Sequence, residues 1–477
     1  MGMTSLPTKR LKILHVNTVE IAGGAAAITR QLQEGYRKRG HQNWIIVADK
    51  QTQAEHVLKM NSDKYRSRWA RACITAAELL NPIRGKFPGP GRLYTWLRLG
   101  LGEPKRYLSI LRGLEDFDYP PTWRLLELAP DAPDIFHLHN LHGDFFDLRV
   151  LPYLSQRFPV FMTLHDPWLL TGHCAHSFGC ERWRIGCGEC PDLSLYPAVR
   201  RDATAFNWKR KAKIFSQSKL YVATPSQWLM NQVEASMLAP GIVEAQVIPN
   251  GVNLSIFHPA DRQAVRRMLN IPSDAKVVLF AAAGGRLNPF KGYKTLHAAI
   301  LRVSRISTIS NLIVLCVGEL LSGNNKLLVE QIGRIQLRYV AFEKEAGLMA
   351  RYYQAADVYA HSAKVDNFPT TVLESMACAT PVVATNVGGL PEQIIHGENG
   401  FLAPTGDSES FAKLILTLLE NEAMRRTFGE NAADTAATAF SSDRMIQRYL
   451  DWYLNVLAHT TQFQGSENPT TLSANYV

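Results

Sequence analysis

The 477-residue sequence has no run of about eighteen consecutive apolar, uncharged residues, so no helix long enough to cross a bilayer is expected. Its first residues, MGMTSLPTKRLKILHVN, pass from a short basic tail straight into a strand pattern. They lack the apolar core and small-residue cleavage site of a signal peptide, and a cytoplasmic chain is expected. RNP, zinc-finger and helix-turn-helix signatures are also missing, which argues against a nucleic-acid partner. There is no GxGxxG, hence no dinucleotide fingerprint, and no internal repeat of the kind that builds a solenoid.

What is present is the composition of a folded protein, 46% hydrophobic and 20% charged, with a length that suits two or three domains. Short Val- and Ile-rich runs separated by helix-length spacers recur in two series. The first is 11–17, 43–49, 134–140, 160–166, 219–226 and 245–251; the second is 275–284, 312–319, 338–342, 357–363, 381–386 and 400–404. Apolar runs of this length are what a parallel sheet covered on both faces requires, and two series predict two doubly wound Rossmann-like α/β domains. The predicted boundaries are 1–254 for the first domain and 255–440 for the second, with the join in LSIFHPADRQ. A C-terminal helix over 441–460 is read as crossing back to the first domain, its apolar face marked by Met445, Tyr449, Trp452, Tyr453 and Val456. The polar, Gly/Ser/Asn/Thr-rich residues 461–477 read as a disordered tail.

The net charge of +10 is uneven, because residues 1–250 hold 32 Lys and Arg against 22 Asp and Glu, whereas 251–477 hold 20 of each. Much of the excess lies in an insertion at about 50–130, where Trp69, Phe87, Tyr94 and Trp96 interleave with Arg68, Arg71, Arg84 and Arg92. Two readings stand for it: peripheral contact with an anionic membrane surface, or an irregular insertion whose charges are merely solvated.

In open α/β sheets ligands bind beyond the carboxyl ends of strands, so chemistry is sought in strand-to-helix loops facing the cleft between the domains. VDNFPTTVLESMA holds Asp366 and Glu374, with Pro369 read in the first turn of the helix. The free N–H groups of that turn suit a phosphate, and the carboxylates suit sugar and ribose hydroxyls. The alternative is a capping Asp366 and a solvated Glu374. A second loop, AAAGGRLNPFKGY, presents Arg286 and Lys291, a fork and a point charge fitted to a diphosphate.

These two loops resemble the family 4 glycosyltransferases of GT-B fold, in which an Arg-x4-Lys pair precedes a carboxylate-x7-Glu motif. IAGGAAAITRQL, TPSQW, VIPNGVNLSIFHP, QAADVYAHSA and ACATPVVATNVGGLPEQI carry the likeness over most of residues 11–457. The resemblance implies that Arg286 and Lys291 hold the donor diphosphate, with Asn367, Phe368, Thr370 and Thr371 in the same site. It implies further that Asp366 meets the transferred sugar and Glu374 the ribose, that Gly23 and Gly24 admit donor or acceptor, and that His165 faces the cleft. Plain readings remain for the last two, a helix-start turn and a satisfied core histidine. The chain departs from the family pattern in having Asp366 where Glu is usual and NFPTT where a glycine-rich loop is usual. The activity implied is retaining transfer from a nucleoside diphosphate sugar to a lipid-linked or growing glycan in bacterial surface polysaccharide synthesis, at the inner face of the plasma membrane, with no cofactor or catalytic metal. A non-catalytic sugar-nucleotide-binding scaffold and a GT-B epimerase or phosphorylase are the alternatives.

Four of the seven cysteines, Cys174, Cys180, Cys187 and Cys190, fall in one loop at 173–191. Clustered thiols in a reducing compartment point to a structural zinc site, with disulfides or packed free thiols as alternatives. Cys73, Cys316 and Cys378 read as core thiols.

Overall fold

A computed structural model describes residues 10–21, 23–87, 89–321 and 326–460; the predicted tail from Thr461 lies outside them. The first half forms seven strands, β1 (Lys12–Val19), β2 (Gln42–Asp49), β3 (Val57–Lys59), β4 (Ile135–Leu138), β5 (Val160–Thr163), β6 (Leu220–Thr224) and β7 (Ile242–Val247). They pair in parallel in the order β3-β2-β1-β4-β5-β6-β7. The second half forms β8 (Lys276–Ala281), β9 (Leu312–Glu319), β10 (Leu327–Ile332), β11 (Ile335–Ala341), β12 (Val358–His361), β13 (Val382–Thr385) and β14 (Gly400–Ala403). Their order is β10-β11-β9-β8-β12-β13-β14, parallel except for the β10–β11 hairpin at one edge.

Strands such as KVVLFA and LIVLCVGE are covered by helices on both faces, which is why every second-sheet strand read from the sequence is a near-continuous apolar run. In each sheet the strand order reverses once, between β1 and β4 and between β8 and β12. A crevice opens at such a reversal, and the loops that follow these strands line it.

The insertion departs from the irregular segment expected. It is built of short helices at Arg68–Glu78, Pro90–Thr95, Trp96–Leu101 and Pro104–Leu111. Ser67 caps the first by accepting the N–H of Ala70, and buried Arg66 ties the segment together through Glu103 and Asp118. The Asp-x-Asp sequence Asp116-Phe117-Asp118 is used up in the same way, by Arg106 and Arg66.

The chain passes between the domains twice, side by side. Val252 donates to the Phe440 carbonyl at 2.8 Å and accepts from the Ser442 N–H at 2.9 Å. The closing helix, Ser442–Thr460, then lays Met445, Tyr449, Trp452, Tyr453 and Val456 against Leu11, Ile13, Phe161 and Ile28 of the first domain. Among the described residues no helix is long and apolar enough to cross a membrane.

Candidate functional site

The loop after β8 turns at Gly284 and Gly285, both at positive φ. Glycine is needed at 285 on packing grounds too, because a Cβ there would lie 2.3 Å from the Glu319 carboxylate. That close approach lets Glu319, buried at the end of β9, accept the Arg286 backbone N–H at 2.8 Å while pairing with its guanidinium at 3.3 Å. Tyr339 lies under the guanidinium, 4.3 Å from ring centroid to carbon. Arg286 is thus aimed by a carboxylate and an aromatic face rather than left free on the surface.

Five residues on, Lys291 reaches across the reversal point to Asp366 at 2.5 Å. The same Asp366 oxygen receives His361 Nε2 at 2.9 Å, and His361 Nδ1 lies 3.1 Å from the Tyr359 hydroxyl. Burial alone would raise the Asp366 carboxyl; Lys291 and His361 overcome it and hold the group well below the usual carboxylate range. Burial keeps His361 neutral against the pull of Asp366, so its Nε2–H donates and its Nδ1 accepts from Tyr359.

Pro369 is the N-cap of the helix Thr370–Ala377 rather than a residue of its first turn, as expected from the sequence, and no side chain caps that end. Its N–H groups therefore remain available at the edge of the crevice. One turn in, half-buried Glu374 accepts from the Tyr353 hydroxyl at 3.0 Å. Burial pushes its carboxyl up to about 7, with Tyr353 and Thr370 opposing.

Asn367 and Phe368 are placed differently from the rest of their loop. Asn367 is buried and spans the two domains, its Oδ1 facing Ser226 Oγ at 2.5 Å and its Nδ2 donating to the His165 carbonyl at 3.1 Å. Phe368 packs on Phe440, and its carbonyl accepts from Asn250 at 2.8 Å. The Asn367 side chain thus joins the domains, whereas the Phe368 ring lies in the core of the second domain and only its carbonyl reaches the seam. Glu392 adds to this seam by accepting the N–H groups of Gln227 and Trp228 at 2.7 and 2.8 Å, at the start of the helix Gln227–Glu234.

On the facing wall, Gly23 has φ 89° and precedes the helix Gly24–Lys38, and a Cβ at Gly23 or Gly24 would meet nothing within 4 Å. The space over them is open to a ligand. His165, at the end of β5, is half-buried, and its Nε2 is 3.2 Å from His139 Nδ1. His139 Nε2 in turn is 3.2 Å from His15 Nδ1. Burial, opposed by Asp166, lowers His165 to about 4, so it is neutral at physiological pH. Asp166 accepts His142 Nε2 at 2.8 Å and is held down to about 2 against its own burial, chiefly by His142.

Comparison with known proteins decides what this crevice belongs to. Residues 22–256 match the model of Glycosyltransferase Family 4, and residues 261–435 match that of Glycosyl transferases group 1. D-inositol 3-phosphate glycosyltransferase of Streptosporangium roseum is 32% identical over 312 residues, 62% of this chain and 70% of that protein. The chain belongs to the family 4 glycosyltransferases. WcaC of Escherichia coli, named for colanic acid biosynthesis, is 24% identical over 345 residues, covering 68% and 77% of the two chains. Among solved structures, sucrose-phosphate synthase of Thermosynechococcus elongatus superposes with TM-score 0.61 at 19% identity over 94% of this chain and 100% of its own. HepE of Anabaena, in complex with UDP-glucose, gives 0.57 at 18% identity over 95% and 100%. At these identities the structures show the shared GT-B fold.

Within this glycosyltransferase, sequence reasoning missed Glu319, Tyr339, Tyr353, His361, His142 and Asp166. His361 and Glu319 each end an apolar strand, and a polar residue closing such a run at the ligand-binding edge of a sheet is the signal that could have found them.

Proposed function

We propose that this chain moves a sugar, with retention of configuration, from a nucleoside diphosphate sugar to a hydroxyl of a lipid-linked or growing glycan in bacterial surface polysaccharide assembly. The observation that carries the reading is the Lys291–Asp366 pair at the strand-order reversal, flanked by Arg286 and an uncapped helix start. The names of WcaC and of the UDP-glucose-bound HepE support the substrate class.

The geometry suggests a sequence of exchanges. The incoming diphosphate draws Lys291 from Asp366, and Arg286 and the N–H groups of Thr370 and Thr371 complete its cradle. Asp366, still held by His361, is freed to accept hydroxyls of the sugar, and Glu374 accepts those of the ribose. The acceptor oxygen then bonds to the anomeric carbon on the face from which the diphosphate departs, and its proton passes to a phosphate oxygen of that leaving group. Charge gathering on the diphosphate is offset by Lys291 and Arg286, so the step calls for no divalent ion.

The insertion fits attachment to the inner membrane face. Trp69, Leu79, Phe87 and Trp96 are exposed, as are Arg68, Arg71 and Arg92, which make no ion pair among the described residues. Sedimentation with phosphatidylglycerol vesicles but not with phosphatidylcholine vesicles is expected, and equal binding to both would remove this part of the reading.

The donor assignment is tested by a thermal-shift screen against UDP-, GDP-, ADP- and dTDP-sugars. One nucleotide class should raise the melting temperature of the wild type and not of Lys291→Ala. No shift with any donor in folded protein would favour the scaffold alternative.

A further inference from the structure

The loop that follows β5 carries a cluster the transfer reaction does not use. Cys174, Cys180, Cys187 and Cys190 line one cavity with His173, and none is in a disulfide. Around the second pair the backbone is wound left-handed for four residues in succession, Gly186, Cys187, Gly188 and Glu189, with φ of 124°, 56°, 88° and 45°. At the two non-glycine positions this costs on the order of 1 kcal/mol each, offset by the Cys187 N–H donating to the Arg182 carbonyl at 2.8 Å, the Gly188 N–H to Thr204 Oγ1 at 3.0 Å and the Cys190 N–H to Asp202 at 2.7 Å.

Burial pushes the thiols up, Cys187 to about 11 and Cys174 to about 12, and it is opposed at Cys187 by the Gly172 N–H donating to Sγ at 3.3 Å and at Cys190 by the Asp192 backbone N–H. Amide donors aimed at sulfur stabilise a thiolate more than a thiol. His173 is fixed by its Nδ1 contact to the Pro197 carbonyl at 3.0 Å, which turns Nε2 toward Cys190 Sγ at 3.3 Å.

From the same loop, His176 and Phe178 cross the cleft. They meet Phe290 of the second domain with centroid distances of 5.3 and 5.6 Å, Phe178 stacking within 9°. Phe290 is the residue before Lys291.

We infer that the four cysteines bind one zinc-class ion as thiolates, releasing their protons to solvent, and that this ion clips a loop whose Phe178 steadies the Lys291 loop from across the cleft. Four thiolates close a tetrahedron and leave no open position, so the ion is structural. As they stand, no three of these sulfurs lie within 4.8 Å of one another. A metal–sulfur bond of about 2.3 Å requires about 3.8 Å between sulfurs. Binding therefore draws the turn inward, a movement that Gly179, Gly186 and Gly188 allow. The cross-cleft half of the inference rests on Lys291 as a donor ligand; the metal half does not.

The two halves are tested separately on the full chain purified under reducing conditions. Elemental analysis should find about one equivalent of zinc, released by a mercurial thiol reagent and lost in Cys187→Ser and Cys190→Ser. Cobalt substitution should give thiolate-to-cobalt charge-transfer absorption. Metal-free protein after zinc supplementation, or a disulfide among these cysteines by mass spectrometry, overturns the site. Phe178→Ala should keep its zinc and raise donor KM about fivefold with kcat little changed. An unchanged KM overturns the cross-cleft contact while leaving the zinc site standing.

Discussion

The two domains present the same architecture to the cleft and furnish it with opposite chemistry. The second domain offers charges already engaged with one another, Lys291 with Asp366 and Arg286 with Glu319. The first offers half-buried His165, backed by the fully buried imidazoles of His139, His15 and His137, all stripped of charge by burial. A wall of paired charges can exchange partners with an anionic donor at little cost in desolvation, whereas a wall of neutral donors and acceptors suits hydroxyl groups. One fold used twice thus sets paired charges on one side of the cleft and a neutral histidine, His165, on the other.

Acid should break this comparison most strongly. An imidazole that stays neutral in the folded state but titrates at 6.5 when unfolded favours the unfolded chain as protons are added, so its stability contribution is lost as pH falls below 6.5. His15 and His165, lowered to about 3 and about 4, together with His137 and His139, place this loss in the first domain. The second domain has one such group, His361. The combined effect is several kcal/mol by pH 4 at about 1.4 kcal/mol per unit. All nine tryptophans lie outside residues 251–440, and Trp452 packs on the first domain. Tryptophan fluorescence should therefore shift between pH 6.5 and 4, ahead of hydrogen exchange in the second sheet; simultaneous loss of both would erase the distinction.

Next in size, Lys291→Ala should lower kcat/KM about 1,000-fold with the fold intact, the scale of a lost charge-stabilising donor, whereas His165→Ala should cost about tenfold. Equal losses would mean that the walls are not specialised. Glu374→Gln sharpens the contrast through its sign. A carboxyl raised to about 7 binds its proton more tightly folded than unfolded, so its contribution is present below 4.5 and is lost as pH rises through 7. Glutamine should weaken donor binding yet stabilise the protein at pH 8, by at most about 3 kcal/mol. A destabilised variant would show that the carboxyl is not held at a cost. The smallest effect expected is for Glu392→Ala, which removes a carboxylate from a helix start in the other domain and should cost about 1 kcal/mol in thermal unfolding.

How far the sequence revealed all this depended on where the signal lay. The two sheets were legible because buried parallel strands must be apolar throughout, as in KVVLFA. The edge strand Leu327–Ile332 was not, since it exposes Leu327, Leu328 and Val329 and interrupts them with Glu330 and Gln331. The insertion looked irregular because its prolines and glycines punctuate short helices. The two crevice loops could be read as contiguous motifs, but within DNFPTT only the structure separates Asp366, turned to the crevice, from Asn367, turned to the domain seam, and Phe368, turned into the second domain's core. Partners such as Tyr339 and Tyr353 come from distant strands and helices, and local spacing carries no trace of them.

The paired crossing at Val252 and Ser441 has a consequence for synthesis. The second domain is an insert in the first, and the helix Ser442–Thr460, made after both sheets, is the one that covers Phe161 and His137. The domain whose sheet is made first is therefore finished last. Until residue 460 has emerged, the nascent chain carries an open apolar face that must be kept from aggregating, while the second domain is already complete.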